Sequence, residues 1–129
     1  MSFPKELKYT KTHEWARREG NHVTVGITDY AQKEISDVVF VETPKAGAAV
    51  EKGKAMAVVE SVKAAFDIYA PVSGKVVKIN TELEANPSLV NQDAYGQGFF
   101  CQIEIENPAD WNSLLNVEDY EKSLKEGAH

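Results

Sequence analysis

The sequence is poor in the residues that form cross-links and metal sites. It has one cysteine, Cys101, and three histidines, His13, His22 and His129, among 129 residues. A single cysteine excludes an internal disulfide and suits a reducing compartment. Because Cys101 stands in a segment of alternating apolar and polar residues, we predict a buried structural thiol rather than a nucleophile. The histidine spacings match no zinc motif, so we predict no metal site and a structural role for His13.

Long apolar runs and basic clusters are also missing. No segment approaches the roughly twenty apolar residues that cross a bilayer, and the N-terminus resembles neither a signal peptide nor a transit peptide. Acidic residues number 20 against 14 basic ones, for a net charge of −6. This balance argues against nucleic acid and anionic membranes as partners. We therefore expect a cytoplasmic monomer, and the length predicts one domain over residues 1–129.

The motifs of independent catalysis are absent as well. The span from Gly47 to Gly53 is one residue too long for a phosphate loop, and Ala55 replaces the hydroxyl that would hold magnesium. Gly96 and Gly98 precede a predicted strand rather than follow one, which excludes a dinucleotide fingerprint. No serine lies in a Gly-x-Ser-x-Gly context. The sequence therefore predicts a protein that is not an enzyme.

The chain has instead about seven short β-prone segments separated by Gly, Pro and Asn. Two helices have clear start signals: Thr28 before residues 29–35, and Asn116 before a final helix with Val117, Tyr120 and Leu124 on one face. Many short strands with marginal helices predict a mainly β protein, either a sandwich or a barrel.

One hairpin stands out within this pattern. Two β-prone segments flank residues 61–64, and the second is closed by Pro71 and Gly74. This arrangement places Lys63 at or beside the hairpin tip, among small and β-branched neighbours. Such an ammonium group suits recognition by a modifying enzyme, but an exposed lysine also serves solubility. The hairpin alone leaves both interpretations open.

Other segments decide between them. The sequence ESVKA at residues 60–64, followed by DIYAPVSG at 67–74, closely resembles the lipoyl-attachment segment of the glycine cleavage H-protein family. Further resemblances follow in the family's order: YTKTHEW at 9–15, VGITDYAQ at 25–32, VFVE at 39–42, NPSLVN at 86–91 and YGQG at 95–98. The resemblance covers nearly the whole chain.

The resemblance implies a barrel-sandwich hybrid with short peripheral helices, a C-terminal helix and Lys63 on an exposed hairpin. It implies a covalent lipoic acid, attached as an amide to Lys63 by a lipoate ligase or a lipoyl or octanoyl transferase. The arm would then carry the aminomethyl group of glycine from a pyridoxal-phosphate glycine decarboxylase to a tetrahydrofolate-dependent aminomethyltransferase. A flavin-containing (FAD) dihydrolipoyl dehydrogenase would reoxidise it. The chain itself would be a non-catalytic shuttle.

The resemblance also implies roles for individual residues. The loaded arm would rest near the Thr-His-Glu segment, where Glu14 is predicted to bind the ammonium group of the cargo. Thr12 and Asp67 are further hydrogen-bonding candidates. Glu60, three residues before Lys63, is predicted to be recognised by the lipoylating enzyme.

The sequence departs from the family pattern at three positions. Ser36 replaces a usual glycine, Phe99 replaces a common tryptophan, and Glu34 stands where some members have histidine. None of them lies in the attachment motif, so the departures affect the expected docking geometry of the arm more than the expected function.

Four other interpretations compete with this one. A biotin carrier usually has its lysine between methionines, whereas Val62 and Ala64 flank Lys63 here. A lipoyl domain of a 2-oxoacid dehydrogenase usually has Asp-Lys-Ala and belongs to a larger chain. An H-like protein that donates lipoyl groups or serves another pathway would share the hairpin. An unmodified interaction protein with the same scaffold would show no added mass on Lys63.

Overall fold

Nine strands form most of the regular structure in the computed structural model, which describes residues 3–126. In chain order they are β1 (Lys8–Tyr9), β2 (Glu14–Glu19), β3 (His22–Ile27), β4 (Val38–Glu42), β5 (Ala49–Val50), β6 (Ala55–Ser61), β7 (Ala65–Tyr69), β8 (Gly74–Ile79) and β9 (Cys101–Ile105). The sequence predicts about seven strands. The difference lies in β1 and β5, which have only two residues each.

The strands form two antiparallel sheets. The six-stranded sheet has the order β1-β2-β3-β9-β8-β5, and the three-stranded sheet has the order β4-β6-β7. The smaller sheet buries Val41, Val59 and Ile68. These side chains pack in one cluster with Ile27 of the larger sheet and with Phe100, the residue before β9. Two packed sheets with small helices at the periphery confirm the predicted barrel-sandwich hybrid.

Five short helices lie outside the sheets: α1 (Asp29–Ile35), α2 (Glu82–Ala85), α3 (Leu89–Gln92), α4 (Pro108–Asn112) and α5 (Val117–Lys125). Thr28 caps α1 by accepting a hydrogen bond from the Ala31 amide, and Asn116 caps α5 through the Asp119 amide. Both predicted start signals are thus confirmed. The longest helix has nine residues, so within residues 3–126 no helix has the length and apolarity needed to cross a membrane.

Trp15 of β2 packs against its cross-strand neighbour on β3. The Trp15 indole is fully buried, donates to the Ala94 carbonyl at 2.9 Å and lies against Gly26 of the paired strand. A Cβ at position 26 would stand 2.5 Å from the indole ring. Glycine is therefore required there for packing. Cys101 is also fully buried, and burial raises the pKa of its thiol to about 12, which confirms the predicted structural thiol.

The end of α1 is strained at Ser36. Its backbone has φ 67° and ψ −158°, a region occupied almost only by glycine. Its carbonyl accepts a hydrogen bond from the Asn91 side chain at 2.9 Å. This contact helps to hold the strained turn between α1 and β4.

Replacing Ser36 with glycine should therefore stabilise the protein. Glycine relieves the backbone strain of the folded state, and this gain exceeds the stabilisation that glycine's conformational entropy gives the unfolded chain. We expect the free energy of unfolding to rise by about 1 kcal/mol. Urea unfolding measures this gain. Ser88→Gly is the matched control, because Ser88 has φ −67° and has no such strain to release. Equal or lower stability of Ser36→Gly would contradict the assignment of strain.

Candidate functional site

The hairpin between β6 and β7 has a tip built by Ser61. The Ser61 amide donates to the Ala64 carbonyl at 2.9 Å, and its hydroxyl oxygen accepts from the amides of Lys63 and Ala64 at 3.1 and 3.3 Å. The Val62 amide donates to the Asp37 carbonyl at 3.0 Å, which ties the tip to the loop before β4. Lys63 therefore projects from a tip held by backbone and hydroxyl hydrogen bonds, as the hairpin pattern predicts.

The Lys63 side chain is exposed and turns toward α1. Its Nζ donates a hydrogen bond to the Glu34 carbonyl at 3.1 Å, in the last turn of α1. The carbonyls at a helix end favour a cation. This contact places the lysine beside the cleft that α1 forms with β7.

That cleft has a volume of about 280 Å³. Its walls are mainly apolar, and its polar groups come from the segment before β2, from α1 and from β7. The lining residues are Thr12, His13, Ile27, Tyr30, Ala31, Glu34, Ile35, Phe66, Asp67 and Ile68. Glu34 belongs both to this lining and, through its carbonyl, to the contact with Lys63. A mostly apolar cleft with a few polar groups is the usual form of a ligand site.

Glu14 is hydrogen-bonded to Thr12 of the cleft but is not itself a lining residue. Its side chain is 1% exposed. One carboxylate oxygen accepts from the hydroxyls of Thr10 and Thr12, both at 2.5 Å, and the other accepts from the Tyr69 amide at 3.1 Å. Burial raises the pKa of Glu14, and these hydrogen bonds oppose the rise. Glu14 thus joins β2 of one sheet to β7 of the other.

His13 connects the cleft to the C-terminal helix. Its backbone has φ 78°, and its Nδ1 lies 2.8 Å from the Tyr120 hydroxyl. That hydroxyl also lies 2.8 Å from the Oγ1 of Thr28, the cap of α1. The His13 ring packs on Tyr30 with centroids 4.9 Å apart. These contacts support the structural role that the sequence predicts for His13.

The predicted site residues fall into three places. Thr12 and Asp67 line the cleft, Glu14 is buried and bonded to Thr12, and the exposed Glu60 lies on the outer face of the three-stranded sheet. Tyr30 and Glu34, which enter from α1, are not among the predicted site residues; Glu34 is named only as a departure that affects the docking geometry of the arm. His22 is exposed at the start of β3, and His129 lies outside the described residues. Within residues 3–126, no group of three potential metal ligands comes together.

Together, the barrel-sandwich hybrid and the lysine on its hairpin tip define a carrier domain of the lipoyl type. A family model described as "Glycine cleavage H-protein" matches residues 7–127. The chain belongs to this family, and it is a lipoyl carrier of the glycine cleavage system.

Individual relatives agree with this assignment. The glycine cleavage system H protein of one strain of Thermus thermophilus is 54% identical over 128 residues, covering 99% of this chain and all of the relative. That of Carboxydothermus hydrogenoformans is 53% identical and covers 95% of each chain. The crystal structure of a glycine cleavage system H protein from Mycobacterium marinum superposes with a TM-score of 0.84. It is 31% identical and covers 95% of this chain and 99% of the other.

The raised pKa of Glu14 predicts a specific pH dependence. Since the folded-state pKa exceeds the unfolded one, the folded protein binds more protons between the two values. The contribution of Glu14 to stability is therefore fully present below about 4.5, the unfolded pKa, and declines as the pH rises through the folded pKa. The stability advantage of the wild type over Glu14→Gln should shrink across that interval.

Urea unfolding of both proteins from pH 4 to pH 8 measures this difference. Glu104→Gln, at an exposed position on β9, is the control for exchanging a carboxylate for an amide. If the advantage of the wild type widened as the pH rose, the hydrogen bonds to Glu14 would outweigh its burial, and the assigned direction would be wrong.

Proposed function

We propose that residues 1–129 form one carrier domain whose lipoyl group is joined as an amide to Nζ of Lys63. When attached, this group would accept the aminomethyl unit from glycine decarboxylase, deliver it to the tetrahydrofolate-dependent aminomethyltransferase and be reoxidised by dihydrolipoyl dehydrogenase. The observation that supports the proposal most strongly is the position of Lys63, on an ordered tip with its Nζ beside a mostly apolar cleft.

Attachment changes the charge of the tip. The Lys63 ammonium must lose a proton before its nitrogen attacks an activated lipoyl carbonyl. The new C–N amide bond replaces the bond to the leaving group, and the positive charge is lost. An amide nitrogen retains one N–H, so hydrogen bonding to the Glu34 carbonyl stays possible without the charge.

The cleft has the composition that a folded lipoyl arm requires. Ile27, Ala31, Ile35, Phe66 and Ile68 provide apolar walls for a hydrocarbon chain and a sulfur ring. These walls would exclude water from an aminomethyl cargo, which water would otherwise release. Asp67 and Glu34 also line this cleft, and a carboxylate suits the cargo's ammonium group.

Glu14 supports this site through Thr12. The Thr12 hydroxyl donates a hydrogen bond to a carboxylate oxygen of Glu14, with 2.5 Å between the two oxygens. Its lone pairs remain available to accept hydrogen bonds. The Thr12 hydroxyl can then only accept a hydrogen bond from a ligand. It therefore favours a cationic cargo, which donates hydrogen bonds, over a group that can only accept them. Direct contact between Glu14 and the cargo stays a prediction; the hydrogen bonds add a positioning role for this residue.

The first test of the proposal is the intact mass of the protein after incubation with a lipoate ligase, lipoate and ATP. We expect one lipoyl amide, mapped by peptide analysis to Lys63, and none in Lys63→Arg. Lys54→Arg, which keeps the hairpin tip intact, is the matched control and should be modified like the wild type. Absence of modification on wild-type Lys63 would refute the proposal.

Transfer assays then test the pathway. The lipoylated protein should support the exchange of bicarbonate with the carboxyl group of glycine when purified glycine decarboxylase is added. A lipoylated protein without this activity would instead favour an H-like donor of lipoyl groups.

The cleft carboxylates are tested by the lifetime of the cargo. Protein loaded by glycine decarboxylase and then separated from it should release its aminomethyl unit about two- to five-fold faster in Asp67→Asn and Glu34→Gln, because each loses one partially exposed ion pair. Release of ammonia over time measures the rate. Glu84→Gln, on the short helix α2, is the control. Unchanged release in both cleft variants would exclude a role for these carboxylates in retention.

A further inference from the structure

An apolar surface adjoins the hairpin tip on the outer side of the three-stranded sheet. Val39, Phe40 and Val62 are 56%, 51% and 66% exposed. Within residues 3–126 the other exposed large hydrophobic residue is Val77, at 40%, on the six-stranded sheet. Single exposed hydrophobic residues are ordinary, but a cluster beside a functional group indicates an interaction site. We call Val39, Phe40, Val62 and Glu60 the tip-proximal face.

A β-bulge produces this face. Val38 pairs with Ser61 and Phe40 pairs with Glu60, so β4 has one extra residue, Val39, at this point. As a result Val38 and Val41 are both buried, while the two residues between them are exposed. Bulges often redirect side chains next to functional sites. Regular alternation would have placed Phe40 on the same side as Val38, facing the core.

The register aligns Phe40 with Glu60, the residue predicted to be recognised during lipoylation. Phe40, Glu60 and Ala65 form one cross-strand row on the outer face of β4, β6 and β7. The Val62 amide is bonded to the Asp37 carbonyl, immediately before β4. The start of β4 and the hairpin tip therefore form one continuous surface around Lys63.

The length of the lysine side chain indicates which enzyme must contact the tip-proximal face. An unmodified lysine extends its nitrogen only about 6 Å from Cα, whereas a lipoyl-lysine reaches roughly 14 Å. The enzyme that installs the arm must therefore contact the residues next to Lys63. Enzymes that act on the end of the finished arm can bind farther away.

The charge of this surface is also informative. Residues 38–42 and 55–69 include three carboxylates, Glu42, Glu60 and Asp67, and one cation, Lys63. The pairing places Glu42 and Glu60 on the outer face of the sheet, whereas Asp67 also lines the cleft. A complementary enzyme would have an apolar centre for Phe40 and Val62 with basic groups around it.

We propose that the tip-proximal face is the docking surface for the enzyme that acylates Lys63. This inference rests on the proposed lipoylation of Lys63. The bound enzyme would present a lipoyl adenylate: the Lys63 nitrogen loses its proton and forms the amide bond, and the bond between carbonyl carbon and phosphate oxygen breaks, releasing AMP. Phe40 and Val62 would bind the enzyme and take no part in this chemistry.

The test measures kcat/KM for acylation of the unmodified protein by a lipoate ligase with ATP and lipoate, followed by intact mass. Phe40→Ser should lower kcat/KM roughly 30-fold, the loss typical of a central interface residue, and Val62→Ser should lower it several-fold. Phe40→Leu should recover most of the activity because it keeps apolar contact. Val77→Ser, which removes an exposed valine from the other sheet, should stay within about two-fold of the wild type.

A second measurement separates docking from folding and from the shuttle function. Each variant should keep the thermal midpoint of the wild type to within a few degrees, since the altered side chains are already half-exposed. After exhaustive lipoylation, Phe40→Ser should support glycine–bicarbonate exchange to within about three-fold of the wild type.

Three results would overturn the proposal in distinct ways. Unchanged acylation of Phe40→Ser would show that the ligase binds elsewhere. Normal acylation with defective exchange would assign the face to glycine decarboxylase. Failure of the wild type to gain mass on Lys63 would refute the proposed function itself, and the docking proposal with it.

Discussion

The buried carboxylate of Glu14 holds together the parts on which the site depends. Removing a charge from water is costly, and here the cost is offset by two hydroxyl donors and one backbone amide. Because these donors come from the segment before β2 and from β7, one side chain fixes the distance between the two sheets. His13, next in sequence, is held by Tyr120. The contacts of Glu14 and His13 thus link the separate elements that form the cleft.

The same scaffold gives Lys63 two different surroundings. On one side, α1 and β7 form an apolar cleft with carboxylates, which suits an arm at rest with a cationic cargo. On the other side, the bulge in β4 exposes Val39 and Phe40 beside the tip. Separate surfaces for retaining the arm and for installing it would allow either one to change in sequence without disturbing the other.

Much of this structure follows from local sequence. The caps Thr28 and Asn116, the hairpin centre at residues 61–64 and the buried Cys101 are each set by neighbouring residues or by strand alternation, so they are predictable. The bulge in β4 could not be predicted. The run Val-Val-Phe-Val at residues 38–41 indicates a buried strand and does not show which residue lacks a partner on β6. The contribution of Tyr30 to the cleft was also not predictable, and that of Glu34 only through its departure from the family pattern, because both depend on α1 packing near β7, more than thirty residues later in the chain.

The central claim is that the arm on Lys63 rests in the cleft between α1 and β7. NMR spectra of the unmodified protein and of the lipoylated protein loaded with its aminomethyl cargo test it most directly. The account predicts chemical-shift changes at Thr12, Ala31, Ile35 and Ile68 as well as at the tip. Changes confined to residues 62–64 would mean that the loaded arm stays in solvent, and would contradict the account.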